Sequence, residues 1–418
     1  MSVPLDRLYH YLADVVNHDL VIYRWSPHGS KKIEDLVPLK NYSKSAWPNF
    51  PQMICHDQEP LAYDLYSDPQ IRIEILRFFS RDNLESLATD SAIEHCAKLH
   101  WRGLLYVFNQ FDKTLLLHSE QNSSEVNKFE QSGFVPVYYW GHAVIALDWF
   151  RYAEHDPELA FDPLKIQQDF LIYNRAWAGT REYRLCFVEQ LLAHGLKPYC
   201  NISFNPTDGK HYNTHQFVNP NFQIINYNLH DELPLNTHAS TASADYCSED
   251  YATTGIEVVL ETLFDDSRWH LTEKTLRPIA CGRPFLLMST AGSLAYLRQY
   301  GFETFSGLID ESYDQITNPR QRLQAVIAEM SRISSLPAAA KAELFLKLHN
   351  IADQNQQHFF NNLFEQVQTE YLNNMQNAMM VMNQHCTDQH RRELKTQSSS
   401  DYTALSTMYD VGLTCSNS

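Results

Sequence analysis

Glycine is scarce, 13 in 418 residues, which excludes a fibrous chain or a flexible linker. Positive charge is also short: 33 Lys and Arg stand against 50 Asp and Glu, a formal charge of −17. A general nucleic-acid coat needs a basic footprint, so that class is excluded, while a local basic groove is not. No apolar run approaches the ~18 residues of a membrane span. The start, "MSVPLDRLYHYLADVV", lacks the basic opening and long apolar core of a signal peptide. The eight cysteines form no C-x-x-C pair and no zinc spacing. Scattered in this way they suit a reducing compartment, and a soluble, cytoplasmic protein is expected. Phosphate-loop, dinucleotide-fingerprint and nucleophile-elbow motifs are all missing. So is any Asp-x-Asp triplet. No metal ligand set or cofactor is therefore expected, and leaving-group charge would fall to Lys, Arg and helix ends.

What is present alternates. Strand candidates lie at Leu20–Trp25, Met53–Cys55, Leu104–Phe108, Leu115–Leu117 and Val135–Tyr139. Helical stretches lie between them, at Asp82–Leu99 and Ser123–Ser132, and Val144–Ala153 closes the block. Alternation of this kind predicts α/β architecture with a largely parallel sheet. "EHDPELAFDPLK" carries two Asp-Pro steps, which push the preceding residues to extended conformations and read as a linker. Alternation then restarts with "DFLIYN" and a helix ending at Gly195. Further strands are expected at Phe222–Ile225, Ile256–Glu261, Phe285–Met288 and Gly307–Ile309, and a long polar loop over Leu229–Tyr251. Past Pro319 the pattern is helical only, and from about Thr387 it is polar and Ser-rich. The expected organisation is an α/β domain over 1–155, a linker over 156–168, a second α/β domain over 169–318, a helical extension over 319–385 and a tail over 386–418. Two Rossmann-like domains in tandem would face each other across a cleft at the C-terminal ends of their strands.

Functional residues should therefore follow strands. In "ETLFDDSRWHLTEKTLRPIACGRPFLL" a strand ends at Glu261, and Thr272 is placed to cap a helix running to Cys281, with Gly282 as its left-handed stop. Lys274 would add charge to the positive end of that helix, a natural phosphate site. Glu273, having only acceptors when ionised, suits a ribose diol, and Arg277 and Arg283 add cations nearby. The alternative is a capping acid beside a solvated lysine. Asn174 and Arg175 end the first strand of the second domain, where a guanidinium can hold a diphosphate, while Arg181 and Arg184 read as surface residues. In the first domain "MICHDQEPL" brings His56, Asp57 and Glu59 into one turn. That set supplies a general base, Asp57 first, or else a polar turn with a capping Asp. Glu120, in "LLLHSEQNS", and His142 follow the next two strands as further catalytic candidates. Asp148 and Arg151 read as an intrahelical pair.

On these residues the second half, from "FLIYNRA" through "TEKTLRPIACGRPFLL" to "LIDESYD", resembles the donor-binding domain of GT-B glycosyltransferases, in particular the fucosyltransferase-like and exostosin-like groups. The first half, with "HDQEPL", "HSEQNS" and "DWFRYAEHD", is similar to glycosyltransferases of tailed phages. The resemblance implies that Glu273, Lys274 and Arg175 contact a nucleotide-sugar donor, expected to be uridine-linked. It implies a metal-independent transfer, with an acceptor that is either hydroxymethylated cytosine in phage DNA or a surface glycan. A protein that only binds glycans or sugar nucleotides is the contrasting expectation. For the DNA reading, Arg24, Lys31, Lys32, Lys40 and Lys44 cluster in one stretch, which makes either a basic groove or a solvated loop.

Overall fold

A computed structural model describes residues 21–24, 52–56, 59–63, 114–205, 215–223, 229, 233 and 245–383. Asp57, the basic cluster from Lys31 to Lys44, the expected elements at Leu104–Phe108 and Asp82–Leu99, and the tail lie outside these residues.

Two parallel sheets carry the fold. The first is built from β1 (Val21–Arg24), β2 (Gln52–His56), β3 (Thr114–His118) and β4 (Phe134–Tyr138), side by side in that order. The apolar run of β3 is buried throughout, as a strand covered on both faces must be. Pro136 has no N–H to give a second neighbour, and it sits on β4, which pairs only with β3 among the described residues. The second sheet joins β5 (Gln168–Arg175), β6 (Cys200–Asn205), β7 (Thr254–Leu260) and β8 (Phe285–Met288), in the order β6-β5-β7-β8. The chain leaves β5 to one side for β6 and returns to the other for β7. That reversal creates a switch point between the C-terminal ends of β5 and β7. The α/β character and both parallel sheets were expected. β6 was not, because Asn201 and Ser203 break its apolar pattern. Ser306 and Ile309 form only an isolated bridge, so no strand forms at Gly307–Ile309. Phe222 lies in an irregular segment at the end of the Asn219–Asn221 turn.

The helices are α1 (Ser124–Gln131), α2 (Gly141–Trp149), α3 (Tyr183–Ala193), α4 (Ser248–Thr253), α5 (Glu273–Ala280), α6 (Ser293–Gln299), α7 (Pro319–Ser334), α8 (Ala338–Asn361) and α9 over 363–383. α2 begins three residues earlier than its apolar pattern suggests, and α4 occupies the end of the expected polar loop. The two Asp-Pro steps form two single turns. Asp156 and Asp162 are extended, and each caps the turn its proline starts. Asp148 and Arg151 do pair, at 3.3 Å. Among the described residues no helix is long and apolar enough to cross a membrane.

The halves share one continuous core. Gln121 and Trp269 exchange two backbone hydrogen bonds of 3.0 and 2.9 Å, a rung that joins the loop after β3 to the loop after β7. Trp140 donates its indole N–H to the Leu271 carbonyl at 3.0 Å. Helix α9 returns to the first sheet: Tyr371 meets Tyr139 edge to face, and Asn374 donates to the Tyr138 carbonyl at 3.0 Å. Helix α8 presses on the second sheet. A Cβ on Gly255 of β7 would lie 2.6 Å from the buried ring of Phe345. Gly255→Ala should therefore lower stability by ~1–3 kcal/mol, read as a drop in the urea midpoint at unchanged m-value.

Candidate functional site

Several of the polar residues that the sequence singled out gather where the C-terminal ends of strands of the first sheet meet those of β5 and β7. Helix α5 is the centre. Thr272 is extended and caps it, accepting from the Lys274 amide. Pro278 lacks the N–H that would bond the Lys274 carbonyl, and Gly282, at φ +62°, ends the helix in the left-handed region. Cap, helix and stop are as the sequence implied.

Glu261, at the end of β7, is fully buried and holds the start of α5 in place. Its Oε1 accepts from the Thr272 amide at 2.9 Å, the Thr275 amide at 3.3 Å and the Thr275 hydroxyl at 2.5 Å. Its Oε2 accepts from the Thr272 hydroxyl at 2.8 Å and the Thr262 amide at 3.1 Å. Burial alone would raise this carboxyl, but the Lys274 charge and these donors outweigh it and leave it below its ordinary value. Five bonds engage both carboxylate oxygens, and through them Glu261 positions the start of the helix.

Glu273 is also engaged. Oε1 accepts from the Lys274 ammonium at 2.9 Å, and Oε2 lies 3.1 Å from Nδ1 of His142, the second residue of α2. The carboxylate that the sequence suggested for a ribose diol thus bridges the two halves of the molecule. Burial opposes its charge. Lys274 and His142 overcome that and hold it well below the usual carboxylate range. Lys274 also bonds the Thr272 hydroxyl at 3.2 Å and keeps some solvent exposure.

Around this pair lie more imidazoles. His56 and His118 end neighbouring strands in register, and the rings of His142 and His270 meet edge to face at 5.1 Å. Burial pushes His56 down to about 3, and it pushes His118, whose Nδ1 accepts from the Glu120 amide, down to about 4. Both are neutral at physiological pH. Among the described residues no group of three His, Cys, Asp or Glu is arranged to hold a metal ion.

The remaining candidates divide. Glu59 faces Arg181 at 3.4 Å across the two halves, at a partly exposed position. Glu120 is buried and structural: it accepts from the Leu61 amide at 2.6 Å, from Ser123 and from Arg268 at 3.1 Å. Burial raises its carboxyl despite the charge of Arg268. It ties the segment after β2 to the loop after β7. Arg175 is exposed at the end of β5. Asn174, fully buried beside it, donates to the Arg184 carbonyl at 3.2 Å.

Three arginines depart from expectation. Arg184 is not at the surface. Its guanidinium enters the switch point and donates to the carbonyls of Arg175, Ala176, Leu260 and Glu261. This holds Ala176 at φ 53°, a left-handed conformation that alanine rarely adopts. Arg277 points into the core, 2.6 Å from Glu257 and over the ring of Tyr173. Arg283 donates to the Leu159 carbonyl at 2.7 Å and pins the linker. Neither is directed at the edge where α5 begins. No sequence signal separates a buried arginine from a surface one when its partners are backbone carbonyls far along the chain. Compared with protein-family models, curated proteins and solved structures, the chain finds no match.

Proposed function

We propose that this protein is a metal-independent glycosyltransferase that moves a sugar from a nucleotide-sugar donor, uridine-linked, to an acceptor hydroxyl. One observation carries the reading. Lys274 and the capped start of α5 lie at the C-terminal edge of the second sheet, where Glu273 meets the His142 imidazole of the first half. A helix N-terminus with an adjacent ammonium stabilises a departing diphosphate without a Lewis acid. The opposing half brings the His142 imidazole to the same seam. Arg175, exposed at the end of β5, is the second cation proposed for the donor.

The acceptor is hydroxymethylcytosine in duplex DNA, with a surface glycan as the other outcome. Transfer to modified duplex, unmodified duplex and soluble glycans across a salt series separates them. DNA affinity falls with a log–log slope of roughly −0.9 per phosphate contacted, and a neutral glycan shows almost none.

Lys274→Ala and Arg175→Ala should each weaken donor binding by ~1.5–3 kcal/mol, the range for a hydrogen bond to a charged group. Calorimetry with a panel of nucleotide sugars measures this, and release of nucleoside diphosphate in excess chelator measures turnover. Wild-type affinity in both variants removes these residues from the donor site. A strict, reversible requirement for manganese or magnesium overturns the metal-independent reading. Donor binding without release of nucleoside diphosphate makes the protein a sugar-nucleotide binder.

A further inference from the structure

The contact between His142 and Glu273 joins the first α/β half to the second at the start of α5. We infer that these two residues form the proton-accepting dyad of the transfer reaction, with His142 taking the acceptor proton and Glu273 positioning the ring. The inference rests on the glycosyltransferase reading and gives Glu273 a role other than holding ribose.

Chemistry and geometry support it together. Among the described first-half candidates, Glu120 is committed to Leu61, Ser123 and Arg268, and Glu59 is paired with Arg181. His56 and His118 are neutral but too weakly basic near pH 7 to take a proton with any driving force. His142 differs in having a carboxylate against Nδ1. A carboxylate there fixes the tautomer with the proton on Nδ1 and the lone pair on Nε2, and it stabilises the imidazolium that forms when Nε2 is protonated. The two atoms stand 3.1 Å apart, and catalytic hydrogen bonds commonly tighten only when substrate arrives. The carboxylate is itself held ionised by Lys274.

The step balances. The acceptor oxygen forms a bond to the anomeric carbon while its proton passes to Nε2 of His142. The bond from that carbon to the phosphate oxygen breaks, and the nucleoside diphosphate leaves with the electron pair, facing Lys274 and the α5 N-terminus. Glu273 neutralises the new imidazolium. The groups facing the dyad are Lys274 from α5, on Glu273, and His270 from the segment before it, on His142. His56 and His118 lie at the strand ends beyond.

The test compares wild type with His142→Asn, Glu273→Gln and Asp57→Asn. Asparagine keeps an N–H where Nδ1 stands but has no Nε2, so the contact with Glu273 and the fold survive. His142→Asn should keep donor affinity within about twofold by calorimetry and lower turnover by ~10²–10⁴-fold. Glu273→Gln removes the charge that favours the imidazolium, so the acidic limb of the turnover–pH profile should move to lower pH with donor affinity retained. If Glu273→Gln instead weakens donor binding and leaves the limb in place, the carboxylate serves the ribose and the dyad is overturned while the transferase reading stands. Normal turnover in His142→Asn with loss in Asp57→Asn likewise overturns it. Wild-type protein that releases no nucleoside diphosphate from any donor overturns the transferase reading and the dyad with it.

Discussion

Glu261→Ala should cost about 3–5 kcal/mol of folding stability, the range for breaking a buried, charge-assisted network by removing one partner. The alanine side chain leaves the hydroxyls of Thr272 and Thr275 and three backbone amides without their common acceptor. Glu261→Gln keeps the volume and one acceptor oxygen, but it turns an amide donor toward groups that are themselves donors, so it should recover only part of the loss. Urea unfolding of the three proteins measures this. A variant within 1 kcal/mol of wild type would show that the five bonds contribute little net stability. Because Glu261 sets the cap of α5, the same change should loosen the helix start before the molecule unfolds globally. Hydrogen exchange at the amides of Thr272, Lys274 and Thr275 reports that local opening.

The second large effect is acid lability above the carboxylate range. His56 and His118 are buried neutral, with folded values of about 3 and about 4 against an ordinary 6.5. A histidine depressed on folding binds its proton more readily when unfolded. Its contribution to stability is complete above pH 6.5 and is lost as pH falls toward the folded value. Each approaches a loss of about 1.4 kcal/mol per pH unit below its unfolded value, so the pair removes roughly 3 kcal/mol between pH 6.5 and pH 5. Glu261 and Glu273, depressed on folding, add their losses only below their unfolded values near 4.5. Glu120, raised by burial, has the opposite sign and offsets part of this at low pH. Urea midpoints at half-unit intervals from pH 7.5 to 5 should slope steeply, and His118→Asn should flatten the slope by about half. A level profile would mean that the two rings are not held neutral.

The parts of this fold legible in the sequence are those decided by neighbours along the chain. Thr272 before a polar-apolar run, and Gly282 after it, define α5 from one end to the other. Asp-Pro twice over gives two capped turns. The apolar runs of β3, β7 and β8 find their places because a strand buried on both faces has no need to alternate. What was not legible depends on residues far apart. β6 is specified by pairing with β5 more than by its own composition. Arg184 resembles a surface residue until the carbonyls of Leu260 and Glu261 arrive beside it, some 76 residues on. The candidate site shows the same division. Its residues follow strands, as α/β architecture requires, and the sequence brought Glu273, Lys274 and His142 forward as candidates. It gave no sign that Glu273 and His142 would meet, since one lies in each half, nor that Glu120 and Glu261 would be used up in holding loops and helix ends.

Helix α9 has a consequence for how the protein is made. Asn374 closes the carbonyl of Tyr138 from 236 residues away, and Tyr371 covers Tyr139 beside it. Translation proceeds at ~5–20 residues per second, so roughly 10–50 s separate the appearance of Tyr138 at the ribosome from that of its partner. Throughout that interval the aromatic end of β4 waits without its cover. Vectorial synthesis normally lets the first domain finish before the second begins. Here the first sheet is completed by nearly the last helix described, so a nascent chain halted before residue 363 leaves the ring of Tyr139 without its cover and is a natural client for a chaperone.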